Sequence, residues 1–307
     1  MSPNAVPPVA LFVYNRPTHT RRTLDALARN IGAAQVDLYV FSDGPKRTED
    51  ESGVAEVRSL FNNEDRFHSV TLFAEDSNRG LAAAIIAGVS DVLDRHEMVI
   101  VLEDDIITSP QFLQFLTEAL IFYRDHEAVW HISGWNYPIK ACDGEYSAFL
   151  WRVMNCWGWA TWKDRWALFE RSPEETLRLF SPEQKWQFNL DGSHDFFSQV
   201  EKNARGRIRT WAVFWYVTIF LRGGLCVNPV HSLAVNIGFD GSGTNCGADD
   251  YFRGGHSTLH YPFKFPVEMA EDREWRGAVK KFYDETYPPK WKRGLARLKS
   301  IWNETVK

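Results

Sequence analysis

The sequence predicts an α/β protein: an open, mostly parallel sheet with helices on both faces. Three observations carry that prediction. Four short apolar runs alternate with stretches of helical periodicity in the first 125 residues. Each run stops at a turn of polar or glycine residues. The fourth stops at three consecutive acids, Glu103, Asp104 and Asp105.

The first run, Val9 to Tyr14, is apolar without alternation, as suits a strand covered on both faces, and Asn15-Arg16-Pro17 ends it. Thr18 or Thr20 is placed to cap a helix whose Leu24, Leu27 and Ala28 recur at helical spacing. Asp37 to Ser42 is a second strand, stopped by Asp43-Gly44-Pro45. Glu49 to Phe61 follows as a helix with Val54, Val57, Leu60 and Phe61 on one side. Ser69 to Ala74 is a third strand, and beyond Asn78-Arg79-Gly80 an alanine-rich helix runs from Leu81 to about Leu93. Met98 to Leu102 is the fourth strand. Pro110 then opens a helix with Phe112, Phe115, Leu116, Ala119 and Leu120 as its apolar stripe.

The second half changes character. Most of the 13 Trp fall between Trp130 and Trp215, and the periodicity is less regular. Glycines gather at 223–224, from 238 to 247 and at 254–255, as in loops lying close to a ligand or to other backbone.

Composition narrows the function. A chain of 307 residues, 44% hydrophobic, has ample material for a core without metal or disulfide staples. Its net charge of −5 argues against nucleic-acid binding, which needs a basic field. Cys142, Cys156, Cys226 and Cys246 are scattered, with no C-x-x-C pair, as in a reduced cytosolic protein. The longest apolar stretch, Trp211 to Leu221, is too short to cross a bilayer, and the N-terminus does not read as a secretory signal.

Ligands of open α/β sheets sit outside the carboxyl ends of the strands. Glu103-Asp104-Asp105 stands there, and hard oxygen ligands of this sort suit Mg²⁺ or Mn²⁺ completed by water and phosphate. A solvated loop capping the next helix is the plain alternative. Asn15-Arg16 could grip a phosphate, Asp43 could accept from a base N–H or a ribose hydroxyl, and Asn78-Arg79-Gly80 precedes a helix N-terminus suited to anionic oxygens. Taken singly, each also reads as a turn. There is no G-x-x-x-x-G-K-[ST] loop and no G-x-G-x-x-G after the first strand, which argues against a Walker or Rossmann site.

With these residues in view, the sequence resembles the GT-A-fold glycosyltransferases, above all the N-acetylglucosaminyltransferase I-like group and bacterial sugar transferases. The matching segments are Val9 to Pro17, Phe41 to Gly44, Asn78 to Gly80, Val99 to Ile106, Ile132 to Asn136, Trp157 to Trp159, and Asn236 to Thr244. The resemblance implies a GT-A-like sheet with a Trp-rich acceptor lobe. It divides the chain into a nucleotide-sugar-binding half (1–125), an acceptor-binding and catalytic half of the same unit (126–265), and a basic amphipathic tail (266–307). It also implies a metal-dependent, inverting transfer from a nucleoside diphosphate sugar, a UDP-sugar by analogy, to a hydroxyl of a glycan or lipid-linked glycan. The sugar would be a hexose or N-acetylhexosamine.

By the same analogy Asp105 contacts Mn²⁺ (or Mg²⁺), Asp104 approaches the ribose and Glu103 the donor sugar. Arg16 lies near the phosphates, and Asp43 near the nucleobase. In that group an Asp beside a Trp is the general base, but the corresponding stretch here, Arg209 to Trp215, has no carboxylate. Asp240 and Asp195 are the substitutes in reach of sequence reasoning.

Trp135, Asn136, Trp157 and Trp159 are the candidate acceptor or sugar contacts, since indole faces suit sugar rings; core packing is the competing role for each. From Lys290 to Lys307, basic residues alternate with Trp291, Leu295, Leu298 and Trp302. Such a helix could rest on an anionic membrane or dock on the domain. The expected location is the cytoplasm, with this tail as a peripheral contact to the inner membrane surface. Two other functions compete: a sugar-phosphate nucleotidyltransferase, disfavoured by the glycine-free loop at Asn15-Arg16-Pro17, and a non-catalytic carbohydrate-binding protein.

Overall fold

The protein's structure is a computed structural model that describes residues 6–140, 144–241, 252 and 254–286. The four expected strands are β1 (Val9–Val13), β2 (Asp37–Ser42), β3 (Ser69–Ala74) and β4 (Met98–Glu103). They alternate with α1 (Pro17–Ala28), α2 (Glu51–Ser59) and α3 (Leu81–Arg95). After β5 (Ile106–Thr108) and α4 (Phe112–Phe122) come β6 (Val129–Ser133), β7 (Ala148–Trp151) and β8 (Trp159–Trp162). A helical stretch follows: α5 (Lys163–Trp166), α6 (Pro173–Leu179), α7 (Pro182–Phe188), α8 (Phe197–Ala204) and α9 (Ala212–Leu221). The chain then forms β9 (Leu225–Pro229), β10 (Ala234–Asn236) and α10 (Arg273–Thr286).

Eight strands make one sheet in the order β3-β2-β1-β4-β8-β6-β9-β7, while β5 and β10 pair antiparallel beside it. The pairs from β3 to β4 and the β6–β9 pair are parallel; β4–β8, β8–β6 and β9–β7 are antiparallel. The sheet therefore runs unbroken across the residue-125 division. All of β1 is buried, as its unalternating apolar run requires. β3, by contrast, is an edge strand with most of its residues exposed. The order reverses between β1 and β4, each having a partner on the other side, so the crevice beyond their carboxyl ends is a topological switch point.

Two local expectations need correction. Neither Thr18 nor Thr20 caps α1: Pro17 occupies its first turn, and the Thr20 hydroxyl donates back to the Arg16 carbonyl at 2.9 Å. The helix expected at Pro110 begins at Phe112 instead.

The tryptophans of the second half build most of its core. Trp151, Trp159 and Trp215 are fully buried, and Trp159 stacks between His131 (ring centroids 5.3 Å apart) and Trp211 (5.2 Å). α10 is docked by Trp275 stacked on Phe149 at 4.3 Å and by a 2.9 Å hydrogen bond between Tyr283 and Tyr137. The stretch from Lys290 onward, with its amphipathic pattern, lies outside the described residues, as do Cys142 and Cys246. Cys226 is fully buried. Among the described residues no helix is long and apolar enough to cross a membrane.

Candidate active site

At the switch point β1 delivers Arg16 and β4 delivers the three acids. One Arg16 nitrogen donates to Asp104 Oδ1 and, at 2.8 Å, to Asp105 Oδ2. Both aspartates are buried, and Thr23 of α1 fixes the turn between them by donating to the Asp104 carbonyl at 2.9 Å. Burial and the neighbouring Asp105 push the Asp104 carboxyl up to about 6 despite Arg16. Glu103 is pushed further, to about 8, by burial and by the charges of Asp105 and Asp104. One cation is thus shared among three crowded acids. Arg16 itself is costly to bury, but the two aspartates outweigh that and hold it charged. Its other terminal nitrogen is buried and has no hydrogen-bond partner among the described residues.

A loop from the second half closes over the acids. β10 pairs with β5, directly after them in the chain, and Ile237 N–H donates to the Asp105 carbonyl at 2.9 Å. Gly238 lies against the Asp105 carboxylate, where a Cβ would overlap Oδ2. The Asn236 side chain holds this bend by accepting from Gly238 N–H at 2.7 Å. Two residues on, Asp240 pairs with His19 Nε2 at 3.1 Å. His19 escaped sequence reasoning. The available signal was its position three residues after Arg16 on a helix begun by Pro17, which places the two on one face.

The other expected site residues form separate groups. Asp43 is buried, and its carboxylate accepts from the backbone N–H groups of Gly44 (3.0 Å), Arg79 (2.8 Å) and Gly80 (2.9 Å), while Asn78 donates to the Gly44 carbonyl (3.0 Å). These residues bind two loops to each other at the head of α3. The Arg79 side chain pairs on the surface with Glu75. Asn15 donates to Asp50, which Tyr14 also reaches at 2.9 Å; Asp50 is a second residue the sequence reading passed over.

Trp135, Asn136 and Trp157 meet at the same sheet edge, since β6 runs parallel to β4 and Trp157 precedes antiparallel β8. Trp135 lies 4.7 Å from both Tyr137 and Trp157, which in turn meets Phe239 at 5.4 Å. Trp135 and Asn136, with Tyr137, His231, Ser232 and Gly254, line a cavity of about 250 Å³. Trp159 points into the core and Asp195 is exposed. Asp195 accepts from Ser198 N–H at 3.2 Å and from Asn189 at 3.3 Å, which ties it into the turn that leads into α8.

The acids and Arg16 fit a divalent cation that arrives with phosphate. Among the described residues no group of three or more His, Cys, Asp or Glu is arranged to hold a metal alone. Mg²⁺ and Mn²⁺ accept one or two carboxylates and take the rest from phosphate and water, and Arg16 keeps a buried donor unspent beside Asp104 and Asp105.

No protein-family model matches the chain. Among solved structures it is similar to the mannosyltransferase PcManGT from Pyrobaculum calidifontis, in complex with GDP-Man and Mn²⁺, at 12% identity and a TM-score of 0.37. That match covers 72% of this chain and 70% of the other. S. aureus TarS matches at 14% identity and a TM-score of 0.30, over 45% of this chain and 22% of TarS. Residues 1–349 of TarS match at 9% and 0.36, over 72% and 57%. Likenesses this distant fix neither chemistry nor substrate.

Proposed function

We propose that the protein is a metal-dependent glycosyltransferase, moving a hexose or N-acetylhexosamine from a nucleoside diphosphate sugar to an acceptor hydroxyl of a glycan or lipid-linked glycan. The observation that carries this reading is the half-buried Arg16 at the switch point, one of whose nitrogens bonds both Asp104 and Asp105 while another stays unpaired. A guanidinium so placed suits the bidentate grip of a phosphate.

In this reading Asp105, with Asp104 beside it, would hold Mn²⁺ or Mg²⁺. When bound, that ion supplies charge stabilisation to the departing nucleoside diphosphate. Arg16 turns from the aspartates toward the same phosphates and stabilises the charge that develops there. Glu103, at the end of β4 beside the two aspartates, would face the donor sugar. The Asp43 cluster fixes the loops around the nucleotide, and the aromatic cavity beside Trp135 receives the acceptor. Asp240, kept in place by His19, is our candidate for removing the acceptor proton, with inversion as the outcome; Asp195 is the second candidate.

The test is incubation with UDP-, GDP- and dTDP-sugars and Mn²⁺. The proposal expects release of nucleoside diphosphate that EDTA and Asp105→Asn abolish. Release or consumption of pyrophosphate would make the protein a nucleotidyltransferase. Binding of sugars without any release would make it a non-catalytic carbohydrate-binding protein.

A further inference from the structure

A second groove opens at the opposite edge of the sheet. β4, β6 and β9 all run the same way, so the acids follow the end of one strand while Leu225, at the groove's rim, begins another. Arg152, which follows antiparallel β7, lies at that same far edge. The groove has a volume of about 610 Å³, and its walls are α7 and the turn from α9 to β9.

One wall carries Trp186, 54% exposed, with no ring partner among the described residues. Leu190, Asp191 and Gly192 are three consecutive residues with positive φ (50°, 51° and 80°). This turn brings Gly192 back to donate its N–H to the Trp186 carbonyl at 3.1 Å. A Cβ on Gly192 would stand 3.0 Å from the indole Nε1, so glycine at this position leaves that edge of the ring uncrowded. The same turn sends Asp191 into the floor, where it meets Arg152 at 3.1 Å and Lys280 at 3.0 Å. Arg152 also grips Glu271 through two nitrogens, at 2.8 and 2.7 Å.

With Arg276, which pairs with Glu271 at 2.9 Å, the floor holds three cations against two carboxylates, all of them ion-paired, so its pull on an anion is weak and it offers no free carboxylate to a metal. The exposed indole offers a flat apolar platform in a groove whose lining also includes Gln184 and Gln187. An exposed indole in a groove with polar lining matches the apolar face and the hydroxyls of a neutral pyranose. We propose that this groove is a second carbohydrate site, holding neutral sugars of a long acceptor or product glycan remote from the reacting end. The proposal rests on the glycosyltransferase reading for its biological sense. Its advantage would be effective concentration: a chain held at both edges re-engages the active site more readily than a short one.

The test is affinity electrophoresis of the full chain in gels containing a soluble glucan, mannan or galactan, with polyglucuronate as an acidic control. At least one neutral polymer should retard the wild type, and Trp186→Ala should raise the apparent dissociation constant about 10-fold, with Trp186→Phe in between. Asp105→Asn should be retarded like the wild type. The proposal is overturned if no neutral polymer retards the protein, if only polyglucuronate does, or if Trp186→Ala is retarded undiminished. Nucleoside diphosphate release, measured on the same preparations, separates the two ideas. Release that persists in Trp186→Ala without retardation of the wild type removes the groove alone. Retardation without any release removes the catalytic reading.

Discussion

The two halves of the sheet are built on different terms. From β1 to β4 the strands are parallel, and the buried ones among them are mostly aliphatic; polar residues follow their carboxyl ends. From β6 to β9 the strands are short and mixed in direction, and large aromatics fill the space between them and the helices. In the first half the strand ends therefore gather polar and charged side chains. In the second an aromatic signals packing unless it stands at the edge shared with the acids.

The sharpest way to break that contrast is to remove a charge from one half and bulk from the other. Asp105→Asn should lower metal-dependent nucleoside diphosphate release by at least about 100-fold, with little change in thermal stability. Trp159→Ala should do the reverse and cost about 3–5 kcal/mol in denaturant unfolding, because a fully buried ring between His131 and Trp211 leaves a cavity. If Trp159→Ala unfolds like the wild type, the aromatic half is not a packed core.

Gly238→Ala joins the two halves in one experiment. The added methyl must displace the Asp105 carboxylate or the loop, so activity should fall more than stability, which we expect to drop by about 1–3 kcal/mol. Unchanged turnover would mean that the loop stands clear of the acids in solution. His19→Gln should have a smaller effect, lowering turnover about 10-fold if Asp240 takes the acceptor proton, with KM for the donor held.

The smallest effect is on pH. Glu103 and Asp104 bind protons more tightly folded than unfolded, since their carboxyls are raised to about 8 and about 6. The metal-free protein should therefore lose stability as pH rises from about 5 through 8, whereas affinity for Mn²⁺ should rise over the same range. Glu103→Gln should flatten the upper part of the melting-temperature profile.

What was legible in the chain follows the same division. β1, β4 and the acids could be read because a doubly covered parallel strand is apolar throughout and its end is abrupt, while β2 and β3 showed through β-branched and aromatic residues bounded by polar turns. The helix starts were less legible, since Pro17 sets α1 without a side-chain cap. In the second half Trp159 could not be told from Trp157 by composition: both flank Gly158, but one starts a buried strand and the other stands on the loop before it. Asp43 looked like a ligand contact, and the structure gives it three backbone N–H partners that only tertiary folding brings together. His19 and Gly238 matter through loops more than two hundred residues apart in the chain, and no local pattern records that meeting.

The central claim is that Arg16 and the β4 acids receive a diphosphate only in company with a divalent cation. Calorimetric titration with UDP and GDP, with and without Mn²⁺, addresses it directly. The account predicts binding of at least one of them that requires Mn²⁺ and disappears in both Arg16→Ala and Asp105→Asn. Binding of equal strength without the ion, or undiminished in both variants, would contradict it.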